Sequence, residues 1–112
     1  MLSKIECFIQ PSKLDEVKEA LFEEGVEGMT ISEVQGFGHR RSCGNGGKAN
    51  REVKFLPKIK LEIVVDEEIA DDVINKIVRL AKTDKIGSGK IFVLPVEDTI
   101  RARTERSEKS AI

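Results

Sequence analysis

Tyrosine and tryptophan are absent from this sequence, histidine occurs once, and cysteine occurs twice. Each scarcity closes off a class of function. With no Tyr or Trp and aromatics at 4%, the chain lacks the ring platforms on which single-stranded RNA bases stack. Cys7 and Cys43 are too few for the disulfide framework of a small secreted domain. His39 and Cys43 supply two ligands where a zinc site needs three or four. No Ser-His-Asp set, catalytic Cys-His arrangement or pocketed carboxylate pair stands out, so an enzyme is not expected. No apolar run approaches the roughly 20 residues of a membrane span. The opening MLSKIECFIQ alternates and carries charge early, unlike a signal peptide. The expected setting is the cytoplasm, without direct membrane insertion.

What remains is a soluble profile: 112 residues, 39% hydrophobic and 35% charged, which suits a single domain spanning 1–112. The net charge of −1 hides an asymmetry. Between His39 and Lys54 stand Arg40, Arg41, Lys48, Arg51 and Lys54 against Glu52 alone, a net +4, leaving −5 for the rest. A cationic arm on an acidic body suits an acidic partner or a phosphate better than a lipid surface. A merely solvated charged loop is the plain alternative.

Ile5, Cys7 and Ile9 alternate with Lys4, Glu6 and Phe8, as in a half-buried strand. Pro11-Ser12 ends it, and Ser12 with Asp15 predicts a helix N-cap and an acidic first turn. Leu14, Val17 and Leu21 recur at helical spacing, with Gly25 offering a left-handed residue past the end. A second strand is predicted from Gly28 to Gln35. Beyond the long loop, Ile59, Leu61, Ile63 and Val65 alternate with Lys58, Lys60 and Glu62 in the clearest strand of the chain. Asp66-Glu67-Glu68 opens a second helix, with acids where its dipole favours them. Its predicted buried stripe is Ile69, Val73, Ile77 and Leu80, with Ile74 and Ala81 alongside. IFVLPV, from Ile91 to Val96, makes a fourth strand. The order predicts an α+β, ferredoxin-like βαββαβ sandwich: an antiparallel four-stranded sheet with both helices on one face. Residues 39–54 then join the second and third strands, a loop long enough to demand a purpose.

Gly87-Ser88-Gly89-Lys90 could cradle an anion on backbone N–H groups beside a lysine. A short glycine turn is as ordinary an explanation, and Walker-loop spacing is missing. Arg101 and Arg103, two apart, would face one polyphosphate if the chain there is extended; a solvated basic tail accounts for them equally. Gly36-Phe37-Gly38 looks like a fragment of an RNA-binding signature, yet His39 and Arg40 follow where stacking aromatics belong. Nucleic acid is therefore not an expected partner, and close approach of backbone to a ligand explains the glycines better.

Taken together, KLDEVKEAL, GMTISEVQGFG, FLPKIKLEIVV, KIGSGKIFVLPVEDTIRART and the closing Ala111-Ile112 resemble the PII family of nitrogen-regulatory signal-transduction proteins over nearly the whole chain. The resemblance implies a homotrimer binding ATP or ADP in clefts between subunits. It makes 39–54 the T-loop, 83–90 the B-loop and 97–112 the C-terminal segment. It places the nucleotide on Thr30, Gly36, Gly38, His39, Arg40, Glu62 and Val64, with Gly87, Ser88, Gly89, Lys90, Arg101 and Arg103 at the phosphates. Lys58 corresponds to a 2-oxoglutarate contact, and Arg41, Lys48, Arg51 and Lys54 to a partner-binding surface. Implied partners are ammonium channels, glutamine synthetase, biosynthetic kinases or nitrogenase regulators.

The departures concentrate in the loop. The tyrosine that some members modify falls at Arg51, so tyrosine nucleotidylation is excluded in a chain without tyrosine. A serine phosphorylated in others falls at Ala49. The glutamine that helps hold Mg²⁺ and 2-oxoglutarate falls at Arg40, and a guanidinium has no lone pair for a metal. Ser88 stands where an aspartate is common. The expectation is that Arg40, helped by Arg41, supplies the positive charge that Mg²⁺ would bring, leaving a weak or absent 2-oxoglutarate response. Two other readings are a scaffold that has lost nucleotide sensing, against which Lys90, Arg101 and Arg103 argue, and a small acylphosphatase-like hydrolase, for which no Arg/Asn constellation is found.

Overall fold

The computed structural model describes residues 1–36, 56–82 and 90–103, and the backbone of 106–107. Strand β1 (Leu2–Ile9) leads through a 3-10 turn, Pro11–Lys13, into helix α1 (Leu14–Glu23). Strand β2 (Thr30–Gly36) and strand β3 (Leu56–Asp66) follow, then helix α2 (Glu67–Ala81) and strand β4 (Ile91–Val96). The four strands form one antiparallel sheet in the order β2-β3-β1-β4. The fold is the expected ferredoxin-like plan. Of the two strands flanking the long loop, β3 is central and β2 lies at an edge.

The core is one face of the sheet against both helices. Ile5, Cys7 and Ile9 from β1 and Ile59, Leu61, Ile63 and Val65 from β3 meet Val17 and Leu21 of α1 and Val73 and Ile77 of α2. Strict alternation in β1 and β3 is what aims these seven side chains one way. The stripe of α2 is rotated from the expected one: Ala70, Val73, Ile77 and Ala81 are buried, while Ile69, Ile74 and Leu80 are only partly so. Val73 and Ile77 lie deepest where α2 packs against α1 and β1, with the alanines at either end of the stripe and Ile69, Ile74 and Leu80 on its flanks.

The helix ends divide between expectation and correction. Asp66 caps α2, its carboxylate accepting from the Glu68 N–H at 3.0 Å. Gly25, at φ 95°, closes α1: its N–H donates to the Phe22 carbonyl at 3.1 Å, and Val26 donates to Leu21 at 3.0 Å. That pair of bonds is a Schellman closure, and it draws Val26 into the core. Ser12, however, does not cap α1. It lies inside the 3-10 turn that Pro11 opens, so α1 starts at Leu14 with no side-chain cap. The second strand likewise starts at Thr30 rather than Gly28, where its pairing with Glu62 begins. Among the described residues no helix is long and apolar enough to cross a membrane.

Candidate functional site

The face of the sheet turned away from the helices carries the other half of each alternation. The register puts Thr30 of β2 directly across from Glu62 of β3, and Val64 of β3 across from Lys4 of β1. Thr30, Glu62 and Val64, named together through the family resemblance, therefore share one patch. Gly36 pairs with Leu56 at the far end of the same ladder. A Cβ placed on Gly36 would lie 3.7 Å from Lys58 Cγ, so Lys58 borders the strand end from which the long loop departs.

Four charged side chains cross this patch. Lys4 Nζ lies 2.8 Å from Glu62 Oε2 and 3.2 Å from Glu6 Oε1, and Lys60 Nζ lies 3.7 Å from Glu62 Oε1. All four are half-buried. The hydrogen bond from Lys4 holds the Glu62 carboxyl below its ordinary value of 4.5, against the opposing effect of burial. Reciprocally, Glu62 first and Glu6 second raise the Lys4 ammonium above its ordinary 10.5. Glu62 is thus an ionised acceptor, and with about four lone-pair positions a carboxylate keeps capacity for a further donor. Neither Lys4 nor Glu6 figured among the expected site residues. The signal was in the alternation: Lys4 and Glu6 stand on the same face of β1 that Lys60 and Glu62 occupy on β3.

Beside the charges the face turns apolar. Phe92 and Leu94 of β4 are 49% and 41% exposed, and Phe92 meets Phe8 edge-to-face at 6.4 Å between ring centroids. The single chain leaves these side chains uncovered.

Lys90 stands at the head of β4, its carbonyl accepting from the Phe8 N–H at 3.2 Å. Arg101 belongs to a short strand β5 (Ile100–Arg101), paired with β6 (Arg106–Ser107) in a ladder separate from the main sheet. The expectation that Arg101 and Arg103 point together along an extended chain is not met. Arg103 sits in the turn after β5, where the two-residue alternation of a strand no longer holds. Gly38, His39, Arg40, Arg41, Lys48, Arg51, Lys54, Gly87, Ser88 and Gly89 lie outside the described residues. Among the described residues no group of three or more His, Cys, Asp or Glu side chains could hold a metal ion.

A cavity of about 270 Å³ opens elsewhere, between the end of α2 and the head of β4, lined by Cys7, Ile77, Ala81, Lys82, Lys90 and Ile91. It shares Lys90 with the candidate site but includes neither Thr30 nor Glu62. Its walls are almost wholly apolar, so the patch around Glu62 is the better candidate for a polar ligand.

Residues 2–106 match the family model described as nitrogen regulatory protein P-II. Over 112 residues the chain is 47% identical to nitrogen regulatory protein P-II 1 of Escherichia coli (strain K12), covering 99% of this chain and all of that protein. It is 46% identical, with the same coverage, to nitrogen regulatory protein P-II of Nostoc punctiforme. Among solved structures, the Bacillus subtilis GlnK–ATP complex is similar at a TM-score of 0.83 with 32% identity, over 99% of this chain and 95% of that one. Arabidopsis thaliana PII bound to citrate is similar at 0.78 with 39% identity, over 98% and 88%.

Proposed function

This chain belongs to the nitrogen regulatory protein P-II family, whose members are signal-transduction regulators and not enzymes, and from that premise we propose that it is an adenine-nucleotide-responsive regulator acting as a homotrimer in the cytoplasm. The observation that carries the reading is the convergence of Thr30, Glu62 and Val64 on one open patch of the sheet, with Gly36 and Lys58 towards the other, loop-bearing end of the β2–β3 ladder. The donor set suits the ligand. A hydroxyl and an ionised carboxylate serve the edge of a base or ribose, and lysines serve phosphates. Thr30, Gly36, Glu62 and Val64 would hold the nucleoside. Lys90, Arg101 and Arg103, with Gly87, Ser88 and Gly89, would hold the phosphates, and His39 and Gly38 would close over them. The similarity to a GlnK–ATP complex supports this assignment. The exposed Phe92 and Leu94 support assembly, because subunit contact on this face would cover them.

Regulation then runs through residues 39–54, with the B-loop at 83–90 and the C-terminal segment at 97–112 contributing to the nucleotide cleft. Arg41, Lys48, Arg51 and Lys54 give this segment its positive charge and fit an acidic protein target, an ammonium channel or a metabolic enzyme. Arg40 replaces the charge of Mg²⁺ beside the phosphates, and Lys58 alone does not sustain a strong 2-oxoglutarate response.

Calorimetric titration with ATP and ADP, each with and without Mg²⁺ and 2-oxoglutarate, tests the reading. ATP binding that needs no Mg²⁺ and gains nothing from 2-oxoglutarate is the expected result, with Arg40→Gln restoring Mg²⁺ dependence. Mg²⁺-dependent synergy with 2-oxoglutarate would overturn the role given to Arg40. An absence of nucleotide binding would leave the scaffold reading.

A further inference from the structure

We propose that Lys4 is a positioning residue of the nucleotide site, bridging Glu6 and Glu62 so that Glu62 stays ionised and fixed in direction. The proposal rests on the nucleotide reading given above. It begins from a conflict in the ladder. Glu6 and Glu62 stand directly opposite one another in the β1–β3 register, and like charges directly opposite destabilise a sheet. Left to themselves, two half-buried carboxylates in that position would turn apart, or one would take up a proton. Lys4, two residues before Glu6 on the same face of β1, resolves the conflict by reaching both, at 3.2 Å from Glu6 and 2.8 Å from Glu62.

Lys60 cannot replace it. At 3.7 Å its ammonium is too far for a well-formed hydrogen bond and acts on Glu62 far less than Lys4 does at 2.8 Å, so it gives charge but little direction. Among the described residues the neighbouring strand positions offer no other cation for the task. On β2, Thr30 and Ser32 face the patch without charge, and Lys58 stands farther along β3 across from Val34. On β4 the residues paired with Lys4 and Glu6 are Leu94 and Phe92, both apolar. An ammonium flanked by apolar side chains has little alternative but the two carboxylates, which is what makes the tie directional. A ligand group that donates to Glu62 then meets an acceptor already oriented, with no carboxyl left to deprotonate or turn.

The test uses the full chain as Lys4→Gln, Glu6→Gln and the double variant, with ATP as probe and assembly mass checked for each. Two readouts are taken: the carboxyl titration of Glu62 by NMR without ligand, and ATP affinity by calorimetry. Lys4→Gln should raise the Glu62 titration and weaken ATP about tenfold, the scale of one lost charge-assisted contact. Glu6→Gln removes the repulsion but keeps the tie, so affinity should stay within about twofold. The double variant should recover part of the loss, because nothing then pushes Glu62 aside although its direction is no longer fixed. A Lys4→Gln protein that binds ATP as the parent does, or a double variant with no recovery, would overturn the proposal. An unmoved Glu62 titration would overturn the tie itself, even where nucleotide binds. If the parent protein binds no ATP while the titration still rises in Lys4→Gln, the tie stands and both the nucleotide reading and the site role of Lys4 fall.

Discussion

Gly36 leaves room beside Lys58 for a side chain: a Cβ on Gly36 would make ordinary van der Waals contact, 3.7 Å from Lys58 Cγ. Among the described residues no packing reason therefore requires glycine at this strand end, and the backbone there is not in the left-handed region. Close approach of a ligand to the backbone is a physical reason for it. Gly36→Ala should leave thermal stability within about 0.5 kcal/mol. ATP affinity should fall about tenfold or more, equivalent to roughly 1.4 kcal/mol. A variant that loses stability but not affinity would assign the glycine to folding.

Gly25 makes the opposite case. At φ 95° it is strained for any L side chain, although no atom lies within 4 Å of a Cβ there. Gly25→Ala should cost about 1–2 kcal/mol through backbone conformation alone, with ATP affinity unchanged. Gly28→Ala is the control: it has equal space and no left-handed requirement, so denaturant midpoints should separate the two.

Asp66 and Ser12 are two candidate caps of which one works. Asp66→Ala should cost about 1 kcal/mol by freeing the Glu68 N–H, and Asp66→Asn should retain most of it. Ser12→Ala should change stability by less than about 0.5 kcal/mol, since Ser12 lies within the 3-10 turn.

Burial pushes the Cys7 thiol up from 9.0 to about 11. The unfolded chain therefore releases this proton first, and stability contributed by the neutral thiol is lost as pH rises from 9 towards 11. Lys4 adds to the alkaline loss, since its raised value means stability present below 10.5 and lost as pH rises through the folded value. Glu62 acts at the acid end: its lowered value gives stability present above 4.5 and lost as pH falls through the folded value. Urea midpoints measured across this range should fall at both ends. Cys7→Ala should flatten the part that begins near pH 9, and Lys4→Gln the parts that belong to Lys4 and Glu62.

The elements most legible in the sequence were those whose pattern repeats. Ile59, Leu61, Ile63 and Val65 alternate with Lys60 and Glu62, broken only by Val64, and Asp66 to Glu68 carry both a cap and a dipole preference, so strand and helix were predicted close to where they lie. Ser12 was misread because a proline can open a 3-10 turn as readily as it precedes a cap, and the sequence signature is the same. Thr30, Glu62 and Val64 were named through resemblance, but their adjacency is a matter of register, which no single strand encodes. For the same reason Lys4 and Glu6 passed unnoticed: their importance exists only once β1 is laid against β3. Arg103 failed for a local reason, because a turn begins one residue after Arg101.

The pairing of Gly36 with Leu56 also bears on how such a protein diversifies. The two points where residues 37–55 leave and rejoin the sheet face each other across one rung of the ladder, roughly 5 Å apart. Between anchors so close, insertions and deletions change closure entropy only slowly with length. The connecting segment can therefore be rewritten or resized while the paired strands β2 and β3 keep their register. A lineage could redirect such a regulator to a new target without first solving the folding problem again.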